Sequence, residues 1–289
     1  MKFAIIGNID KEGILDATLR LVRKLAASGI DFVVERKIAD LAGTGSILSG
    51  HEDDLERCLD GVDMVVAFGG DGTMLWAARV VGRRSIPILG VNLGKLGFLA
   101  EFSSNDMEQA ITDLAQGRYR IEERLALEAH TPAQPGKPFT AMNDFVLDKA
   151  RSSRLIDLEV SIDGAFAVTY RGDGLIVSTP TGSTAYALSN GGPIVTPGSD
   201  VIGITPISPH TLGGRPLIVP RTCEIRLVAH ARGGEVLFSA DGQEESLLTP
   251  PAEVVIRAAS FPLRLVRRTD RTYFDVLRAK LLWGQDPRG

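Results

Sequence analysis

Gly69-Gly70-Asp71-Gly72-Thr73 follows an apolar run ending at Phe68 and opens an amphipathic stretch, which puts it between a strand and a helix. Glycines at such a junction let backbone N–H groups approach phosphate oxygens with no Cβ in the way, and the start of the next helix is an anion site. Asp71 has two readings on these grounds alone. It is a carboxylate beside bound phosphates, able to hold Mg²⁺ or to accept a hydroxyl proton during phosphoryl transfer, or it is the N-cap of the helix.

A second cluster runs from Asp173 to Pro193 and packs Ser178, Thr179, Thr181, Ser183 and Thr184 around Pro180 and Gly182, with Tyr186 just beyond. Hydroxyls at this density, entering a short helical stretch with few charges, offer donors and acceptors to a ligand, and Tyr186 can stack on a base. An elaborate cap and turn is the competing reading. Asn143-Asp144 precedes the strand-like Phe145 to Leu147 and by itself reads as a turn pair, and Asp241-Gly242 reads as a hairpin turn.

Other chemistries fail on spacing. Gly90 to Leu96 has three residues between its glycines and no Ser or Thr after Lys95, so it is not a Walker A loop. Gly43-Thr44-Gly45 and Gly172-Asp173-Gly174 lack the third glycine of a dinucleotide fingerprint, with Leu48 and Val177 in its place. His51, His130, His210 and His230 have no metal-ligand spacing, and Ser183 has no Gly-x-Ser-x-Gly context.

The elements that must carry these residues fall into two patterns. Phe3 to Ile6, Phe32 to Val34, Asp63 to Phe68 and Ile86 to Val91 read as buried strands. Glu12 to Ala27, His51 to Leu59 and Thr73 to Val81 lie between them as helices. That alternation predicts a Rossmann-like α/β domain with a parallel sheet over residues 1–101. A helix at Asn105 to Ala115 follows. Val160 to Tyr170, Glu224 to Val228, Glu235 to Ser239, Val254 to Ala258 and Leu263 to Val266 are then short strands between turns, with Thr131 to Lys137 a hairpin loop, so 102–271 reads as mainly β, a sandwich. Thr272 to Trp283 is a closing helix with Phe274, Leu277 and Leu281 on one side, within a 272–289 segment expected to pack back on the first domain and to fray after Gly284.

Composition bounds the partners. The chain has 289 residues, 44% hydrophobic and 24% charged, with a formal charge of −4, as in ordinary globular proteins. It lacks the basic footprint of a nucleic-acid binder. Two cysteines make no disulfide framework, the N-terminus has no signal-peptide core, and no apolar run reaches membrane-spanning length, so a cytoplasmic location is expected.

Taken together, Gly69 to Thr73, Asn92 to Leu99, Asn143-Asp144 and the block Asp173 to Pro193 resemble the bacterial NAD kinase family over nearly the whole chain. The resemblance implies Mg-dependent transfer of the γ-phosphoryl group of ATP to the 2′-hydroxyl of the adenosine ribose of NAD, giving NADP. It implies Asp71 as the catalytic aspartate, Gly72 beside it, Phe98 against the adenine, and Asn143 and Asp144 hydrogen-bonding NAD, with Asp144 one methylene shorter than the family's usual Glu. Asp173, Thr181, Thr184, Ala185 and Tyr186 fall on NAD-lining positions, and Asp241 on one that some members use. Arg171 matches a basic residue of members that prefer NAD over NADH. An N-terminal α/β domain, a C-terminal β-sandwich, a ligand cleft between the halves and a homodimer or homotetramer are also implied. Similar glycine loops occur in diacylglycerol and sphingosine kinases. A lipid kinase and a non-catalytic dinucleotide-binding regulator are therefore the alternatives, the first lacking an evident apolar groove and the second a reason to carry Asp71.

Overall fold

The computed structural model describes residues 1–94, 97–136, 138–210 and 213–282. In chain order the elements begin β1 (Lys2–Gly7), α1 (Ile14–Ala27), β2 (Asp31–Glu35), α2 (Arg36–Ala42), β3 (Glu52–Asp53), α3 (Leu55–Cys58), β4 (Met64–Phe68), α4 (Asp71–Val81), β5 (Ile88–Asn92), β6 (Phe102–Ser103), α5 (Met107–Ala115) and β7 (Arg120–Arg124). They continue with β8 (Leu127–His130), β9 (Phe139–Ala141), β10 (Asp144–Asp148), β11 (Ile156–Ile162), β12 (Ala165–Gly172), β13 (Gly174–Ser178), α6 (Tyr186–Ser189), β14 (Val201–Ile207), β15 (Leu217–Pro220), β16 (Ile225–His230), β17 (Val236–Ala240), β18 (Glu244–Leu248), β19 (Ala252–Ala258), β20 (Leu263–Arg267) and α7 (Tyr273–Leu281).

Two compact units result, Met1–Glu123 with Leu263–Gly289, and Arg124–Pro262. In the first, one sheet has the order β3-β2-β1-β4-β5-β20-β7, with β6 beside β5. β1 runs parallel to β2 and β4, and β5 parallel to β4 and β20. β1, β4 and β5 are almost wholly buried, as their continuous apolar runs require of strands covered on both faces. α1 turns Ile14, Ala17, Leu21, Val22 and Leu25 into the core, the spacing of a single helix face.

Three expectations change here. β20 lies in the first unit's sheet, Leu265 paired with Ile88, and not in the β-rich half. With it the boundaries move from 101 and 271 to 123 and 262, because α5, β6, β7 and β20 all belong to the first unit. A short strand-like run such as Leu263 to Val266 carries no local mark of which sheet it joins. His51 to Leu59, expected as one helix, is a two-residue strand and the single turn α3, since Glu52 and Asp53 pair with Val34 and Glu35 at the sheet edge.

α7 opens with a capping box, in which Thr272 Oγ1 accepts the Asp275 N–H and the Asp275 carboxylate accepts the Thr272 N–H. It buries Val276 and Leu277, while Phe274 and Leu281, expected on the packed side with Leu277, are exposed. Trp283 and the tail beyond it lie outside the described residues.

The second unit is a sandwich of two sheets, β15-β14-β13-β10-β17-β18 and β12-β11-β16-β19-β8-β9. Every pairing between these neighbours is antiparallel. Its core interleaves both, with Phe139 of one sheet edge-on to Phe238 of the other, ring centroids 5.1 Å apart, and Phe238 stacked on Phe145 at 5.3 Å. The loop after Thr131 joins β8 to β9 as a hairpin; Lys137, its last expected residue, lies outside the described ones.

Candidate active site

In the first unit the glycine loop sits at the C-terminal end of β4, where ligand crevices of open parallel sheets form. Gly69 has φ +154° and a Cβ there would overlap Thr73 Oγ1, so neither the backbone nor the space admits another residue. Gly70 precedes α4, and Asp71 is the first residue of that helix without capping it.

The Asp71 side chain turns to residues 98–100. Its Oδ2 accepts the Phe98 N–H at 2.9 Å, and its Oδ1 accepts those of Leu99 at 2.9 Å and Ala100 at 3.4 Å. A Cβ on Gly97 would overlap Oδ1, so the motif glycine before Phe98 lets the loop close onto the carboxylate. The cap reading is thereby replaced by one the sequence did not suggest, a carboxylate seated on the backbone of the next motif. Among the described residues Oδ2 accepts one N–H, that of Phe98, and a carboxylate oxygen has a second lone pair. Phe98 carries Lys280 Nζ of α7 over its ring, 5.9 Å from the centroid. Lys95 and Leu96 of the same motif lie outside the described residues.

In the second unit another carboxylate does comparable work. Asp241 lies in the β17–β18 turn, with φ 52° followed by Gly242 at 62°, as the hairpin reading requires. Its side chain also accepts the consecutive N–H groups of Met142 at 2.9 Å, Asn143 at 2.7 Å and Asp144 at 3.1 Å. Asp144, at the start of β10, is 4% exposed. Burial, with the Asp241 charge second, pushes its carboxyl up to about 7.

Against this corner folds the hydroxyl block. Thr179 donates its N–H to Asn143 O at 2.8 Å and its Oγ1 to Met142 O at 2.6 Å, and a Cβ on Gly182 would overlap Asn143 O. Ser183 Oγ donates to Pro180 O at 2.7 Å and accepts from Val195 N at 2.9 Å, Thr184 Oγ1 donates to Thr181 O at 3.2 Å, and Thr181 Oγ1 accepts from Arg124 Nη1 at 3.2 Å. Much of the hydroxyl density thus shapes the loop itself. Thr184 and Ala185 are half-buried, and Tyr186, 46% exposed, presents its ring at the start of α6.

Arg171 and Asp173 do not join the corner. Asp144 pairs with Ser178 and Asp148 with Gly174 across β10 and β13, and the Lys149 N–H donates to Asp173 O, so Asp173 lies five residues along the strand from Ser178, about 17 Å from the Asp144 end. There Asp173 pairs with Lys149 Nζ at 2.6 Å, and Arg171 with Asp157 at 3.8 Å. The structure also adds residues that sequence reading missed, Arg267 with Glu101 and Glu122. Arg267 Nη1 lies 3.2 Å from Glu101 and its Nε 2.9 Å from Glu122, and the pairs span more than a hundred positions, so no local signal exists for them. Among the described residues, no three His, Cys, Asp or Glu side chains are grouped to hold a metal.

Residues 3–119 match the model of the ATP-NAD kinase N-terminal domain, and 142–268 that of the ATP-NAD kinase C-terminal domain. The chain belongs to the NAD kinase family. It is 40% identical to the NAD kinase of Bacteroides fragilis over 292 residues, covering 100% of both chains. It is 41% identical to that of Moorella thermoacetica, covering 98% of this chain and 90% of the relative. Among solved structures, yeast NADH kinase complexed with NADH superposes with a TM-score of 0.90 at 26% identity, covering 99% and 89%. An Archaeoglobus fulgidus NAD kinase in complex with ATP gives 0.76 at 25%, covering 96% and 99%. The enzyme is an ATP-dependent NAD kinase, and the lipid-kinase and regulator alternatives fall away.

Proposed function

We propose that Asp71 is the proton acceptor of this NAD kinase and that the glycine loop before α4 receives the transferring phosphate. The observation that carries the reading is the orientation of Asp71, held off its own helix by the N–H groups of 98–100 with a lone pair of Oδ2 left over. The 2′-hydroxyl of the adenosine ribose gives its proton to Oδ2 as its oxygen bonds the γ-phosphorus of ATP. The bond from that phosphorus to the β,γ-bridging oxygen breaks and ADP leaves. Phosphoryl transfer needs positioning and charge compensation more than covalent help, so a glycine loop and one carboxylate suffice.

Mg²⁺ fits this donor set as an ion carried on the ATP phosphates with at most one carboxylate beside it, and when bound it offsets their negative charge. In this reading Phe98 lies against the adenine, Tyr186 can stack on a base, Asn143 and Asp144 hydrogen-bond NAD, and Thr181, Thr184 and Ala185 take NAD-lining positions. Arg171 and Asp173 serve a more distant part of the dinucleotide, where Arg171 bears on the choice between NAD and NADH. Asp241 acts through the backbone of 142–144, shaping the corner. We further propose a cytoplasmic homo-oligomer; no described helix is long and apolar enough to cross a membrane.

NADP formation from NAD and ATP, measured with Mg²⁺ and with EDTA for the wild type and Tyr186→Ala, tests the assignment. Activity is expected to vanish with EDTA, and Tyr186→Ala to weaken NAD binding by about 1–3 kcal/mol, the worth of base–aromatic stacking. Unchanged NAD affinity in the variant removes the stacking role, and full activity in EDTA removes the metal.

A further inference from the structure

We infer that Arg267 is a positioning residue for catalysis, gripping the carbonyl side of the 98–100 backbone whose N–H side Asp71 holds. The inference rests on Asp71 as the catalytic group. Arg267 ends β20 and is 2% exposed. Its Nη1 donates to Leu99 O at 3.2 Å and its Nη2 to Phe98 O at 3.3 Å. The remaining reach of the guanidinium is taken up by carboxylates, Glu101 Oε1 at 3.2 Å from Nη1 and Glu122 Oε2 at 2.9 Å from Nε. Glu101 follows the gripped segment directly, is 4% exposed, and accepts the Arg268 N–H on its other oxygen at 3.2 Å.

Stability alone does not account for this cluster. A buried ion group spends most of its Coulomb attraction on desolvation, and well-packed apolar side chains in its place are often no worse. Geometry does account for it. Phe98 and Leu99 have N–H and C=O both tied by side chains, from α4 on one side and β20 on the other, so the distance between those elements sets where the loop lies. The loop in turn holds Asp71 and carries Phe98. A rigid planar fork can meet two carbonyls and two carboxylates at once, whereas an ammonium donates from a single point.

The test is Arg267→Lys, with the exposed Arg264→Lys on the same strand as control. Each is assayed well below its melting temperature for kcat, for KM of NAD and ATP, and for amide hydrogen exchange of peptides spanning 97–101. Positioning predicts that Arg267→Lys lowers kcat by about 10–100-fold, raises KM for NAD, leaves KM for ATP within about twofold and speeds exchange in 97–101, since misplacement of about 1 Å can cost that much in rate. Arg264→Lys is expected to match the wild type. If Arg267→Lys does not fold, Glu122→Gln, which weakens the partly exposed end of the cluster, is expected to give a smaller fall in kcat with the same exchange signature. Wild-type kcat and KM in folded variants, whatever the melting temperature, overturn the inference. Failure of the underlying reading would show separately, as full activity in Asp71→Asn.

Discussion

In the proposed reading the Asp71 side chain has two jobs, holding the 98–100 backbone and accepting a proton, and one substitution tests both. Asp71→Asn keeps the shape but replaces one oxygen with an amide NH₂ that faces an N–H, and it removes the proton acceptor. We expect kcat to fall by about 10²–10⁴, the usual range for a lost general base, and the melting temperature to fall as well, by the equivalent of about 1–3 kcal/mol for backbone donors that lose a charged acceptor. Steady-state kinetics and thermal unfolding check the two effects independently, and near-full NADP formation would remove the catalytic role.

Asp144 poses a different question at the same scale. Its carboxyl is raised from 3.8 to about 7, chiefly by burial, so between those values the folded protein keeps a proton that the unfolded chain has released. The contribution to stability is fully present below about pH 4 and is lost as pH rises through 7, with a slope of up to about 1.4 kcal/mol per pH unit. Asp144→Asn removes the slope. Relative to wild type, the variant is expected to gain stability between pH 5 and pH 8 in denaturant titrations, and a constant difference would show that Asp144 does not bind the extra proton.

Among elements, α4 and the loop before Ala100 approach so closely that Gly97 leaves no room for a Cβ beside Asp71. Gly97→Ala drives a methyl group against the Asp71 carboxylate, so either the loop or the acid must move. An expected loss of about 10–100-fold in kcat follows from misorientation. Gly198→Ala, where a Cβ meets open space, is the control and is expected to leave the rate unchanged. Equal rates in both would mean that the loop relaxes without disturbing Asp71.

For the whole molecule, the return of the chain matters more than its order suggests. β20 lies between β5 and β7, with Leu265 and Val266 buried, so the first unit is closed by residues that follow the entire second unit. A chain ending at Pro262 is expected to lose the helical signal of the first unit in circular dichroism, while a protease-resistant fragment near 124–262 survives, because that unit draws both its sheets from its own residues. Retention of the full helical signal would refute this dependence. The same topology explains what could be read early and what could not.

Local physics was written in the sequence. Buried parallel strands announce themselves by unbroken apolar runs, α1 by its 3.6-residue period, and the Gly69 to Thr73 loop by glycines at a strand–helix junction; together with the motif order, these were enough for the fold class and the family. Contacts at long sequence separation were not. β20 reads like any other short strand until its neighbour Ile88 is seen, and Asp241 reads as a turn residue until its carboxylate is found on N–H groups about a hundred positions earlier. The cap reading of Asp71, left open by the sequence, was locally as sensible as its actual place. Only tertiary structure could decide, because the competing N–H donors of 98–100 and the Arg267 guanidinium behind them come from segments that the folded chain alone brings together.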